Sequence, residues 1–210
     1  MSHRIVKVCG MREPENIREV ERLGIDWMGF IFYEKSKRHV PALPAYMPTQ
    51  VKRIGVFVDY TLTEILDKVE EFHFDGVQLH GNESPQFCKE LREKAPYPIL
   101  INKAFGILTE EDIHPIEAYE GVCDYYVFDT KTPSKGGSGN AFDWNILQAY
   151  KGDTPFLLSG GLSIDNLEEM LQFHHERMAG IDLNSKFEIS PALKDASLLE
   201  KYIKTVRNNE

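Results

Sequence analysis

Cysteine is scarce in this 210-residue chain, and the three that occur, Cys9, Cys88 and Cys123, are far apart and odd in number. They imply no disulfide framework, and they lack the close pairs of a zinc site or a redox dithiol. No apolar run approaches the about 18 residues that a membrane span needs. The opening Met1-Ser2-His3-Arg4 leads straight into a short strand rather than into the apolar stretch of a signal peptide. The expectation is a cytoplasmic protein with no membrane association. Positive charge is in deficit as well. The 24 Lys and Arg against 33 Asp and Glu leave a formal net charge of −9, so the broad basic face that a nucleic acid requires is missing. An anionic small molecule would need a local positive pocket instead. No Pro- or Ser-rich linker and no low-complexity segment divides the chain, so residues 1–210 read as one domain, long enough to bury a real core.

What the sequence does contain is a repeated unit. Ile5-Val6-Lys7-Val8-Cys9 reads as a short strand stopped by Gly10, with Ile5, Lys7 and Cys9 on one face and Val6 and Val8 on the other. Glu13-Pro14-Glu15 then opens a helix whose Ile17, Val20 and Leu23 recur at helical spacing until Gly24. Further strands are predicted over 27–32, 54–58, 76–80, 99–105, 125–129, 156–158 and 180–184. Helix starts stand at Thr61 with Glu64 (a capping box), Ser84-Pro85, Thr109 with Asp112, and Ser163; a last amphipathic helix runs over 196–206. The basic loop 34–39 is followed by a Pro-rich stretch through Pro48. Strands alternating with helical stretches allow an open doubly wound sheet or a closed barrel, and the count of eight favours an α/β fold of the (β/α)8 TIM-barrel type.

In such a barrel the chemistry sits at the carboxyl ends of the strands. Those ends carry Cys9, the 35–38 loop, Asp59, His80, Lys103, Asp129, Gly160-Gly161, and Asp182 with Ser185, whereas the strand interiors are Val, Ile, Leu and Phe. Each has a plainer reading. Free cysteine is usually a small buried hydrophobe, charge runs are usually solvated, and Gly-Gly is often only a tight turn; Cys88, on an apolar helix face, is read as packing. The combination points further. Gly160-Gly161 and Asn184-Ser185 fall where barrels of this type bind phosphate through backbone N–H groups. Strands one and six should set Cys9 and Asp129 across the mouth from each other, as a base and an acid. A thiol near pKa ~8.5 then needs a cation, for which Lys7 is the candidate, and the acid needs a carboxyl raised by burial. His80 has no neighbours that would make it a metal ligand. Gly136-Gly137-Ser138-Gly139 lacks the Gly-Lys-Ser/Thr of a P-loop, so the 131–140 segment reads as a lid.

Through these residues the sequence resembles the phosphoribosylanthranilate isomerase family over nearly its whole length. The resemblance is carried by Lys7-Val8-Cys9-Gly10, 29–32 with Ser36-Lys37-Arg38-His39-Val40, 55–58, Gln78-Leu79-His80-Gly81, Lys103-Ala104, Phe128-Asp129-Thr130, 136–139 with Phe142-Asp143-Trp144, Ser159-Gly160-Gly161-Leu162, and Asp182 through Ser185. It implies an Amadori rearrangement of N-(5-phosphoribosyl)anthranilate in tryptophan biosynthesis, without cofactor or metal, by a monomer or homodimer. It implies Asp129 as the general acid on the furanose oxygen, Cys9 as the base that takes the C2 proton, and Arg38 as the partner of the anthranilate carboxylate. Gly160, Gly161, Asp182 and Ser185 would line the phosphate site, and His80 and Lys103 would border the substrate. The chain departs from the family pattern at Lys37 (usually Pro), Ser138 (usually Thr) and Lys186 (usually Gly). If that Gly takes a left-handed φ, Lys186 would strain the loop. Two other kinds of function fit the same fold: another phosphosugar barrel enzyme, such as an indole-glycerol-phosphate synthase or a ribulose-phosphate epimerase, and a barrel that binds a phosphorylated ligand without turning it over. The Lys and Glu pair of the first and the metal-binding His and Asp set of the second are not found.

Overall fold

The strand-helix repeat closes on itself. In the computed structural model, which describes residues 3–131 and 143–209, eight parallel strands form a closed barrel in chain order. They are β1 (Ile5–Cys9), β2 (Trp27–Ile31), β3 (Lys52–Phe57), β4 (Gly76–Leu79), β5 (Leu100–Ile107), β6 (Tyr125–Thr130), β7 (Phe156–Leu158) and β8 (Met178–Leu183). Closure comes from β1 pairing with β8, with Lys7 opposite Asp182 and Val8 opposite Leu183. The α-helices are α1 (Pro14–Glu21), α2 (Leu62–Phe72), α3 (Pro85–Lys94), α4 (Leu167–Gln172) and α5 (Ala196–Asn208). The start signals hold at α2, where Thr61 accepts from the Glu64 N–H at 3.3 Å and Glu64 accepts from the Thr61 N–H at 2.8 Å. They hold too at α3, where Ser84 accepts from the Phe87 N–H at 3.2 Å.

The helical layer is thinner than the sequence pattern predicts. Between β2 and β3 no helix forms, in keeping with the basic loop and Pro-rich stretch read there; Pro41, Pro44 and Pro48 deny that segment the N–H groups a helix would use. After β5 the expected α-helix is two 3₁₀ segments, Glu110–Asp112 and His114–Tyr119, the second beginning over Pro115. Trp144–Ala149 is likewise 3₁₀. Beyond β8 lies an antiparallel hairpin, β9 (Glu188–Ser190) with β10 (Leu193–Lys194). Strands this short carry no readable periodicity, and the hairpin was not anticipated. Among the described residues no helix is long and apolar enough to cross a membrane. The segment read as a lid lies outside the described residues, apart from Lys131.

Two apolar layers result from strand alternation. The outer one packs Val6, Val8, Phe30, Phe57 and Val77 against the helices and includes Ile65, Phe72 and Leu91 from them. A smaller inner cluster of Trp27, Ile54, Ala104, Val127 and Leu157, with Ile5, Leu100 and Tyr125 against it, fills the barrel's interior. Buried apolar area of this kind supplies the main driving force for closure.

Candidate active site

Along several strands the inward positions change from apolar to polar toward the carboxyl end. On β1 they run Ile5, Lys7, Cys9, and on β6 Tyr125, Val127, Asp129. From β4 the inward positions are Gln78 and then, just past the strand, His80. Lys7, Gln78, Asn102 and Asp182 are all at most 5% exposed, so a polar tier lies buried within the barrel. Burying such groups is expensive unless they satisfy one another. Lys7 Nζ donates to Asp182 Oδ2 at 2.7 Å and to Gln78 Oε1 at 2.8 Å. Asp182 Oδ1 and the Asn102 amide have no partner among the described residues.

Cys9 ends β1 and is 4% exposed. A Cβ on Gly29 of β2 would meet the Cys9 sulfur at 2.7 Å, so the Gly29 of the 29–32 stretch makes room for the thiol. Burial pushes the Cys9 pKa up; Lys7 and Lys194 pull against it, and the Asp182 charge adds to the rise. Lys7 keeps its proton firmly: burial alone would lower its pKa, but Asp182 and Cys9 raise it above the usual lysine value. The expectation that Lys7 is the cation beside Cys9 is met in position, and it is joined by a second cation, Lys194.

Asp129 ends the inward series of β6. Burial pushes its carboxyl up, opposed by the Thr130 N–H, which donates to Oδ1 at 2.8 Å, and by Lys7. His80 Nε2 stands 3.6 Å from Asp129 Oδ2. The other ring nitrogen, Nδ1, is 3.2 Å from Gln78 Nε2. Because Lys7 has only protons to give, it fixes Gln78 Oε1 as the acceptor and turns the amide N–H₂ toward His80. His80 Nδ1 must then accept, which leaves its proton on Nε2, facing Asp129. Burial, with Lys103 and Lys7 nearby, lowers the His80 pKa to about 4, so the ring is neutral at pH 7. Lys7 therefore acts electrostatically on Cys9, Asp129 and His80 alike.

The loop after β7 supplies the next part. Gly160 and Gly161 have φ of +79° and +72°, the left-handed region that L side chains resist. A Cβ at Gly160 would lie 2.5 Å from the Thr130 backbone N and 2.9 Å from Asp129 Oδ1. The glycine thus lets this loop close directly against the Asp129 carboxylate. After β8, Ser185 heads a 3₁₀ turn, Ser185–Phe187, and Lys186 is exposed on it. Lys186 is not among the residues with positive φ, so the strain anticipated for it does not arise.

Two of the expected site residues stand elsewhere. Asp182 is not at a phosphate site: its carboxylate is the buried counterion of Lys7, and a carboxylate beside a phosphate would repel it. Lys103 does not border the mouth. It alternates with Asn102 and with Ala104 of the inner cluster, so it emerges on the outer face of β5. There its ammonium donates to the carbonyls of Leu79 at 3.3 Å and Gly81 at 3.0 Å and pairs with Glu83 at 3.4 Å. Glu83 in turn accepts from the Asp59 N–H at 2.9 Å and the Gly81 N–H at 2.9 Å. Lys103 and Glu83 therefore hold the β3 and β4 ends that carry His80.

Arg38 does reach the site's edge, but held. Its Nε donates to Glu188 Oε1 at 2.8 Å and its Nη2 to Oε2 at 2.6 Å. Lys194 Nζ shares Glu188 Oε1 at 2.7 Å and donates to Asn184 Oδ1 at 2.7 Å. Arg38 and Lys194 together keep the Glu188 carboxyl below its ordinary pKa despite its burial. Gln78, Glu188 and Lys194 are the residues that sequence reasoning missed. Gln78 stood inside a quoted motif, two positions before His80; Glu188 and Lys194 lie on the unanticipated hairpin.

The model of the family described as N-(5'phosphoribosyl)anthranilate (PRA) isomerase matches residues 6–205. The chain is 52% identical over 203 residues to the N-(5'-phosphoribosyl)anthranilate isomerase of Phocaeicola vulgatus, a match covering 97% of this chain and 98% of that one. The phosphoribosyl anthranilate isomerase structure from Thermotoga maritima superimposes with a TM-score of 0.82 at 31% identity, over 98% of this chain and 100% of that one. A similar structure, described as in complex with reduced 1-(o-carboxyphenylamino)-1-deoxyribulose 5-phosphate, gives 0.79 at 28% identity, over 98% of this chain and 100% of that one.

Proposed function

The chain belongs to the N-(5'-phosphoribosyl)anthranilate isomerase family, and on that footing we propose that Asp129 is the general acid and Cys9 the general base of its reaction. The enzyme is an isomerase of tryptophan biosynthesis that converts N-(5'-phosphoribosyl)anthranilate to 1-(2-carboxyphenylamino)-1-deoxyribulose 5-phosphate by an Amadori rearrangement. Asp129 gives its proton to the furanose oxygen as the C1–O bond breaks, leaving an iminium at C1. The Cys9 thiolate takes the proton from C2, and the electron pair of that bond neutralises the iminium as the enolamine. The enolamine then tautomerises to the ketose.

The observation that carries this assignment is the uneven field across the mouth. Two cations, Lys7 and Lys194, oppose the rise that burial gives the Cys9 pKa, whereas Asp129, raised by burial, has no Lys or Arg ion pair among the described residues. A raised carboxyl can carry the proton that an acid needs, and a thiolate beside cations can accept one. After one turnover Cys9 holds a proton and Asp129 has lost one, so the pair returns to its starting state by moving a single proton from one to the other, with no change in net charge. The neutral His80, its Nε2–H toward Asp129, steadies the carboxylate that forms.

In this reading Arg38 takes the anthranilate carboxylate, and the backbone N–H groups of the Gly160-Gly161 loop with Ser185 take the phosphate. Asp182 serves through Lys7, and Lys103 through the loop that carries His80. The protein works in the cytoplasm through a single (β/α)8 barrel domain, on a phosphorylated small molecule, as a monomer or homodimer. Loss of anthranilate-adduct fluorescence on adding purified protein to N-(5'-phosphoribosyl)anthranilate tests the function. The expected result is rapid decay to the ketose product; unchanged fluorescence at micromolar enzyme would overturn it.

A further inference from the structure

We propose that Glu188 is a positioning residue that aims Arg38, so that preference for a substrate bearing the ring carboxylate depends on Glu188 as well as on Arg38. The inference rests on the proposed role of Arg38. A guanidinium is planar and offers two forked edges to carboxylates, Nε with Nη2 and Nη1 with Nη2. Glu188 occupies the first edge, at 2.8 and 2.6 Å. Nη1 makes no hydrogen bond to any described residue, so the second edge remains for an incoming carboxylate. The Arg38 side chain is otherwise long and free to rotate, and ordering it only when substrate arrives would be entropically costly.

Glu188 is itself anchored. Its side chain is 5% exposed, and Oε1 also accepts from Lys194 Nζ at 2.7 Å and from the Ala192 N–H at 3.2 Å. The β10 backbone is tied to α1, since Asn16 accepts from the Lys194 N–H at 2.7 Å and donates to the Lys194 carbonyl at 2.9 Å. From this rigid base the Arg38 stem runs over Gly10, where a Cβ would lie 2.6 Å from Arg38 Cδ. Gly10 directly follows Cys9. A carboxylate held on the free edge of Arg38 is thereby fixed relative to the base, and the two cations on one carboxylate leave the cluster a net positive charge to offer it.

The test compares two substrates on one protein preparation: N-(5'-phosphoribosyl)anthranilate and the adduct of aniline, which lacks the carboxylate. The ratio of their kcat/KM values is independent of how much of a preparation is folded, so partial unfolding of a variant cannot mimic the effect. Wild type is expected to prefer the carboxylated substrate by about 100-fold, as suits a charge-assisted pair, mostly through KM. Glu188→Gln is expected to cut that preference to about 10-fold or less while the aniline adduct reacts within about 3-fold of wild type. Glu188→Asp should recover part of the preference. An unchanged ratio in Glu188→Gln, with both substrates slowed equally, would overturn the proposal and leave Glu188 as the hairpin's counterion for Lys194. Failure of wild type to turn over either substrate would instead overturn the proposed function.

Discussion

Replacing Lys7 by Met should damage stability and catalysis for separate reasons, and a second substitution can pull them apart. The Lys7–Asp182 pair is 2.7 Å long with side-chain exposures of 0% and 5%. Removing one partner of such a pair leaves a buried charge and costs about 3–5 kcal/mol; Asp182, already raised by burial, limits that loss by taking up a proton. Lys7→Met with Asp182→Leu replaces both charges by apolar groups and should recover most of the stability. The thiol does not recover. A unit charge about 4 Å from another at an effective dielectric of about 20 is worth ~4 kcal/mol, and Lys7 is the charge that does most to lower the thiol's pKa. Loss of Lys7 therefore lets the Cys9 pKa rise further, less the part that the opposing Asp182 charge had contributed. At pH 7 less of Cys9 is thiolate in the single variant, and kcat should fall by about 10-fold or more. The double variant keeps the deficit to the extent that Lys7 outweighs Asp182. Urea midpoints report the first effect. The pH dependence of iodoacetamide alkylation, in a background with Cys88→Ser and Cys123→Ser, reports the second. A double variant that regained full turnover along with stability, or an alkylation profile unmoved by Lys7→Met, would refute the reasoning.

His80 should stay neutral down to acid pH. Its folded pKa is about 4 against about 6.5 in an unfolded chain, so between those values the unfolded state binds the extra proton and stability falls as pH drops from about 6.5 to about 4. The shift corresponds to at most about 3 kcal/mol, less where water reaches the ring, which is 29% exposed at its side chain. An NMR titration of the ring should show its midpoint near the lower value, and His80→Asn should flatten the acid limb of the stability curve; a midpoint near the ordinary value would contradict the burial argument. Gly160→Ala places a methyl 2.5 Å from the Thr130 N at a φ of +79°. The left-handed backbone alone costs about 1–2 kcal/mol, and the displaced Asp129 should lower kcat by about 10-fold or more. A variant with unchanged midpoint and kcat would show that the loop has room the geometry denies.

The barrel was legible because its signals are local and repeated. Strand alternation in Ile5 to Cys9, the Thr61–Glu64 box and the Ser84-Pro85 start each act within a few residues, and they survive folding intact. Counting strands put Cys9 and Asp129 near the carboxyl ends of strands one and six, where β1 and β6 carry them. What could not be read depends on contacts far apart in sequence. Lys103 belongs to a matched motif, but one position of strand alternation puts it on the outer face, and nothing near it in sequence reveals Glu83 as its partner. Asp182 pairs with Lys7 across 175 positions, and a carboxylate at a strand end looks the same whether it faces a ligand or a lysine. The hairpin of Glu188 and Lys194 is set by Arg38 and Asn16, both contributed by the other end of the chain. The helix expected after β5 had the right start signal at Thr109 and Asp112, and Pro115 then turned it into 3₁₀ segments.

The division of labour between Cys9 and Asp129 is tested most directly by single-turnover rates, with enzyme in excess, for Cys9→Ser and Asp129→Asn. Each variant keeps the size of the side chain and removes its proton chemistry. Both should bind N-(5'-phosphoribosyl)anthranilate nearly as wild type does and convert it at least about 10²- to 10⁴-fold more slowly, the range expected for general acid-base groups. Conversion at the wild-type rate by either variant would contradict the assignment of that residue.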